Sequence, residues 1–216
     1  IVDEWVSETS AHVIKGLEKG KSYVLTEKIP ADGYVTANSI TFTVNADGST
    51  TKVIMKDDIT KIEIIKVNPD NQAIAGVELQ VIDNDSGKVV VPTWKTDGTP
   101  YRIDGKLVVG KTYRLHEVST LPQYILGEDV SFTVSDTPDV QTVTMTNHFK
   151  TGSVTLHKRD GEGQNLTGSQ WRLFTKDGKP VTVNMLSGGA YRYSDNGLIQ
   201  IIDTDSNGDF FVDNMP

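Results

Sequence analysis

An all-β fold, arranged as tandem sandwich modules, is what this 216-residue sequence predicts. Short segments rich in Val, Ile, Thr, Tyr and Phe alternate with clusters of Gly, Asp, Asn and Pro; examples are 40–44, 61–67, 77–82, 112–117, 131–134, 140–146 and 154–157. Turn dipeptides recur between them, at Asp47-Gly48, Asp97-Gly98, Asp104-Gly105, Asp177-Gly178 and Asn207-Gly208. No stretch keeps a helical period over three turns. Residues 10–19 come nearest, and Gly16 weakens them.

The chain also repeats itself. Tyr23-Val-Leu25-Thr-Glu27 returns 90 residues later as Tyr113-Arg-Leu115-His-Glu117. Phe42 to Val44 returns as Phe132 to Val134, and the alternating run Val53, Met55, Asp57 returns as Val143, Met145, Asn147. A period this long marks a repeated domain rather than a solenoid unit. The alignment predicts one complete domain at 59–149. Residues 1–58 match only its second half, with Trp5 opposite Trp94 and Gly20-Lys21-Ser22-Tyr23 opposite Gly110-Lys111-Thr112-Tyr113. Residues 150–216 match only its first half, with Val154-Thr-Leu156-His-Lys158 opposite Ile62-Glu-Ile64-Ile-Lys66. The ends read as those of a fragment.

Composition narrows the function classes. A net charge of −8 argues against nucleic acid or an anionic membrane as partner. No window is long and apolar enough to cross a membrane as a helix. The chain has no cysteine, so an extracellular domain of this kind would need another staple.

Strand parity locates the residues that carry chemistry. Side chains two apart share a face, so Ile62, Ile64 and Lys66 point together, and the isoleucines mark that face as core. Val154, Leu156 and Lys158 repeat the arrangement. Tyr113, Leu115 and Glu117 share a face, as do Tyr23, Leu25 and Glu27. Val143, Met145 and Asn147 share one too, matched by Val53, Met55 and Asp57. One reading is that each row simply ends where its strand leaves the core, since Lys stems snorkel outward. The other reading is a covalent cross-link. Burial lowers the pKa of an amine and raises that of a carboxylic acid. A neutral Lys66 amine beside Asn147, with Glu117 touching both, can attack the side-chain carbonyl while Glu117 moves the proton. Ammonia leaves and an amide remains.

The Tyr-x-Leu-x-Glu signature with its following Pro30 and Gly33-Tyr34 resembles the E-box of CnaB-type domains, also called SpaA-like or prealbumin-like. These build pilins and adhesin stalks on Gram-positive cell walls. The resemblance covers the whole chain and implies tandem Ig-like β-sandwiches, one complete and two partial. It implies an isopeptide triad of Lys66, Glu117 and Asn147 in the complete domain. Glu27 and Asp57 would be two members in the leading half, with water leaving from the acid, and Lys158 one member in the trailing half. After Glu117 the sequence departs from the pattern, running Val-Ser-Thr-Leu-Pro122-Gln-Tyr124 with Pro displaced and no Gly before Tyr.

Other signals are weaker. Asp203-Thr-Asp205-Ser-Asn207-Gly208-Asp209 starts like a calcium loop, but its twelfth position is Asn214, and it reads as a turn before a strand. His12, His116, His148 and His157 lack metal-ligand spacing, and no cofactor motif or hydrolase elbow appears. Trp5 and Trp94 occupy matching positions, which fits a structural role; the role of Trp171 stays open.

The expected function is thus mechanical: an extracellular stalk or pilin-type module at the cell wall, cross-linked once per domain and without turnover. Its expected partners are neighbouring domains of the same surface protein or pilus. Alternatives are an adhesin module that binds host matrix or glycan, and an accessory β-domain of a secreted enzyme. The two half-domains also raise head-to-tail association, with Lys158 of one chain meeting Glu27 and Asp57 of another.

Overall fold

In the computed structural model, which describes residues 1–215, the alternating segments become strands and no helix is present among the described residues. In chain order these are β1 (Ser22–Leu25), β2 (Ile40–Thr43), β3 (Lys61–Val67), β4 (Ala75–Asp83), β5 (Val89–Asp97), β6 (Tyr101–Asp104), β7 (Thr112–Ser119), β8 (Val130–Thr133), β9 (Val140–Thr146), β10 (Gly152–His157), β11 (Gln170–Trp171), β12 (Val183–Met185), β13 (Tyr191–Tyr193), β14 (Ile202–Asp203) and β15 (Asp209–Met215). The chain divides into two compact units. One comprises Ile1–Leu121 and Leu126–Asn147, and the other Pro122–Ile125 with the segment from His148 onward.

The first unit holds a two-sheet sandwich. Its three-stranded sheet runs β6-β3-β9 and its four-stranded sheet β5-β4-β7-β8. All neighbours are antiparallel except β3 and β9, the first and last strands of the sandwich, which pair in parallel from Lys61↔Val140 to Val67↔Thr146. Alternation buries one row from each strand. Ile62 and Ile64 on β3, Val77, Leu79 and Val81 on β4, Tyr113 and Leu115 on β7, and Val143 and Met145 on β9 are all core residues. Polar side chains alternate outward, as expected for strands with one buried face.

The leading residues of this unit reproduce the second half of the sandwich in detail. β1 pairs with β2 as β7 pairs with β8, so that Tyr23 lies opposite Phe42 and Tyr113 opposite Phe132. Both aromatic pairs have ring centroids 6.0 Å apart. The Tyr hydroxyl accepts from the backbone N–H five residues earlier in each copy, at 3.1 Å from Glu18 and 3.1 Å from Val108. Where the leading segment meets β3, Thr60 is fully buried. Its N–H donates to Gly33 O at 2.9 Å and its hydroxyl to Leu107 O at 2.9 Å. Gly33 has a positive φ of 85°, and any Cβ there would overlap the carbonyl of Gly105, so the position requires glycine.

One expected strand does not form. Residues 53–57, which repeat β9 in sequence, have no strand partner, and Asp57 is exposed. The reason lies in the topology. Among the described residues β9 pairs with no strand but β3, and residues 1–21 contain no strand equivalent to β3. Sequence alternation without a ladder partner leaves backbone groups to water.

The second unit mirrors this from the other side. β10 pairs antiparallel with β15 in a sheet ordered β10-β15-β13-β12, and β11 pairs with β14. Whereas β3 has neighbours on both edges, β10 has one among the described residues. A small core gathers Val181, Val183, Tyr191, Ile202, Phe210 and Val212, with Leu156 and Trp171 packed against it. The acidic stretch before β15 forms a turn: Asp205 accepts from the N–H groups of Asn207 at 2.8 Å and Asp209 at 2.9 Å.

Hydrogen exchange checks the contrast between the two copies. The alternate amides of β9 that donate to β3 should be protected, whereas those of residues 53–57 should exchange at rates near those of an unstructured chain. Equal protection of the two segments would contradict the pairing described here.

Candidate functional site

Three strands of the sandwich deliver one polar group each to the same buried point. Lys66 ends the inward row of β3 and lies opposite Met145 in the parallel register. Asn147 follows β9 by one residue and is two past Met145, so it extends the same inward face. Its N–H donates to Val67 O at 2.9 Å, which carries the parallel ladder to this point. Glu117 ends the inward row Tyr113, Leu115 on β7. Relative exposure is 5% for Lys66, 1% for Glu117 and 0% for Asn147. These are core residues rather than strand ends emerging into solvent.

Their polar atoms satisfy one another. Lys66 Nζ donates to Asn147 Oδ1, and it lies 3.5 Å from Glu117 Oε1. Asn147 Nδ2 donates to Glu117 Oε1 at 2.6 Å and to Thr120 Oγ1 at 2.6 Å. The Gly127 N–H donates to Glu117 Oε2. Burial brings the Lys66 amine down to a pKa of about 8, and the attraction of Glu117 offsets part of that shift. At neutral pH an appreciable share of the amine is therefore uncharged and nucleophilic.

The arrangement is competent for one reaction. Lys66 Nζ is already held against the Asn147 carbonyl, and Glu117 bridges attacking and leaving nitrogens through the same oxygen, Oε1. The neutral amine would attack Cγ, with one Nζ proton passing through Glu117 to Nδ2. The Cγ–Nδ2 bond would then break, ammonia would depart, and an Nζ–Cγ amide would remain. Fixed proximity supplies what the two side chains lack in free solution. Among the described residues no cluster of His, Cys, Asp or Glu is arranged to hold a metal ion.

The other sequence-predicted residues are not brought into such a constellation. Glu27 is half-buried, and its Oε2 accepts from the Ala37 N–H at 2.7 Å. Asp57 is exposed. In the second unit Lys158 is half-buried, with Nζ 5.8 Å from the centre of the Trp171 ring, a cation–π contact. That contact, with Phe210 at 6.3 Å, gives Trp171 a packing role. Trp5 and Trp94 also stack within the protein, on His12 and Tyr101, each at 4.2 Å between ring centres. Sequence reading did not reach Thr120 or Gly127. The 90-residue alignment sets Gly127 opposite Ala37, but no motif tied either residue to the site.

A family model described as the SpaA prealbumin-like fold domain matches the chain twice, at residues 1–59 and 60–148. The chain belongs to this family. Its all-β sandwich architecture follows from that membership and from the strands described above. Among solved structures, the Bacillus anthracis TIE protein is 19% identical, with a TM-score of 0.50 over 89% of this chain and 34% of that one. The shaft pilin SpaA of Lactobacillus rhamnosus GG is 17% identical, with a TM-score of 0.35 over 72% of this chain and 82% of that one. A streptococcal ancillary pilin is 21% identical, with a TM-score of 0.32 over 90% of this chain and 62% of that one. No curated protein matches.

The lowered Lys66 pKa makes the chemistry pH-dependent in a definite direction. Chain purified unfolded, before any cross-link has formed, should lose ammonia on refolding at a rate set by the neutral fraction of the amine. Below pH 8 the rate should rise about tenfold per pH unit, and above it should level off. Intact mass against time at several pH values measures this. A rate independent of pH between 6 and 9 would contradict the assignment of Lys66 as nucleophile.

Proposed function

We propose that the chain is a structural stalk or pilin-type module of a Gram-positive cell surface, held by an autocatalytic amide between Lys66 and Asn147. The observation that carries this reading is the buried contact of Lys66, Glu117 and Asn147 at the junction of first and last strands. Family membership supports the pilin class, and the absence of cysteine supports a different covalent staple. Its partners on this reading are neighbouring domains of the same surface protein or pilus, outside the cell and at its wall. The amide forms once per domain, so no turnover is expected.

The mechanical argument follows from the register. Tension entering before β3 runs along that strand to Lys66. It then crosses the amide to Asn147 and leaves the domain at once. Residues 67–146 hang outside the load path. Without the amide the same force shears the β3–β9 ladder, whose hydrogen bonds alone resist it. The bond also closes a loop between positions 81 apart in sequence, which lowers the entropy of the unfolded chain. By the chain-entropy relation for cross-links this is worth roughly 4–5 kcal/mol.

Single-molecule pulling tests the proposal. The wild-type domain should yield no extension from residues 67–146, whereas Glu117→Ala should release roughly 260–290 Å, the extended length of that segment. The same variant should melt roughly 15–30 °C lower, as expected for a domain of this size losing that stabilisation. A wild type that extends like the variant would sink the proposal. Specific binding of the isolated chain to a glycan array or matrix proteins would instead favour an adhesin module.

A further inference from the structure

We infer that Thr120 and Gly127, two loop residues outside the Lys-Glu-Asn trio, set the orientation of the Asn147 carboxamide for attack. This rests on the cross-link reading above and names what makes the reaction directional.

A carboxamide has one acceptor and two donor positions, and only one of its two orientations is productive. Nucleophilic attack needs the carbonyl beside Lys66 and the nitrogen beside the proton carrier. Glu117 alone fixes only one of the two N–H groups. Thr120 Oγ1 takes the other, at 2.6 Å, so both donors of Nδ2 are occupied while Oδ1 accepts from Lys66. Turning the group over would break both bonds and set an N–H against the Lys66 amine. As the reaction proceeds, Nδ2 gains the proton that Nζ loses and becomes more positive before the Cγ–Nδ2 bond breaks. The Thr120 oxygen then accepts from a stronger donor, so the contact tightens where charge develops.

Gly127 acts from the opposite side. Its backbone is not in the left-handed region, so conformation gives no reason for glycine here. Space does. A Cβ at 127 would stand 2.6 Å from Asn147 Oδ1, 3.2 Å from Glu117 Oε2 and 3.5 Å from Lys66 Nζ. Even a methyl group would push the carbonyl oxygen off its position against the amine. Meanwhile the Gly127 N–H holds the Glu117 oxygen that does not contact Nδ2, leaving Oε1 to face both nitrogens.

The leading copy supplies an internal control. There Ala37 makes the same backbone contact to Glu27, at 2.7 Å, so the N–H clamp on the glutamate belongs to both copies. The two other features differ together. Opposite Thr120 stands Pro30, which has no hydroxyl, opposite Gly127 stands Ala37, and opposite Asn147 stands Asp57. A carboxylic acid has no N–H pair to orient and no need of the Thr120 acceptor. The threonine and the missing side chain accompany the carboxamide.

Refolding of initially uncross-linked full-length chains, followed by intact mass over time with circular dichroism for folding, tests this. Thr120→Val keeps the shape and loses the acceptor; it should slow ammonia loss by about tenfold or more, the scale of one hydrogen bond that strengthens in the transition state. Thr120→Ser should stay within about threefold of wild type, a rescue that a packing role would not produce. Gly127→Ala should slow the reaction by at least about tenfold as well. If that variant does not fold, the Thr120 pair decides. Thr120→Val and folded Gly127→Ala chains that cross-link at the wild-type rate would overturn the inference alone. A wild type that never loses ammonia would overturn the cross-link reading and this inference with it.

Discussion

A lysine amine inside a hydrocarbon core is costly unless its surroundings either neutralise it or match it with hydrogen bonds. The sandwich does both. Burial pushes Lys66 toward its neutral form, and Asn147 and Glu117 occupy its polar contacts. The organisation of the domain is consistent with that demand. Three inward rows, on β3, β7 and β9, converge so that each ends at the same point, and the loop after β7 folds back to add Thr120 and Gly127. Removing one member takes a buried polar partner from each of the other two, so the trio is coupled in stability.

Strand order explains why, among the described residues, the trio assembles at Lys66, Glu117 and Asn147. Lys66 and Asn147 come from the first and last strands, which are far apart in sequence and meet only because β9 lies parallel beside β3. In the leading segment the Glu-bearing hairpin β1–β2 forms by local antiparallel pairing and needs nothing else. The Asp-bearing run at 53–57 needs a first strand and stays unpaired. In the second unit β10 forms against β15 and leads into Lys158, but among the described residues its other edge has no parallel neighbour, and the amine lies over Trp171. Local antiparallel pairings form in residues 1–58 and in the second unit, while the long-range parallel pairing of first and last strands is that of β3 with β9.

The sequence made much of this legible because strand parity and a 90-residue repeat carry long-range information in simple form. Alternation placed Lys66, Glu117 and Asn147 on inward faces, and their convergence follows once the strands join one sandwich. It overstated residues 53–57, because alternation reports which face a side chain would take and not whether a partner strand exists. Thr120 and Gly127 were out of reach for a different reason. They sit in a segment that departs from the family pattern after Glu117, and their proximity to Asn147 depends on how that loop closes. A glycine chosen for space, rather than for a positive φ, leaves no turn signature to read.

Intact mass followed by peptide mapping tests the central claim most directly. The wild-type chain should weigh one ammonia less than its sequence, and digestion should release a branched peptide joining Lys66 to Asn147. Glu117→Ala should restore the full mass and remove the branch. A wild-type chain at full mass, with separate unmodified peptides for the two residues, would contradict the account.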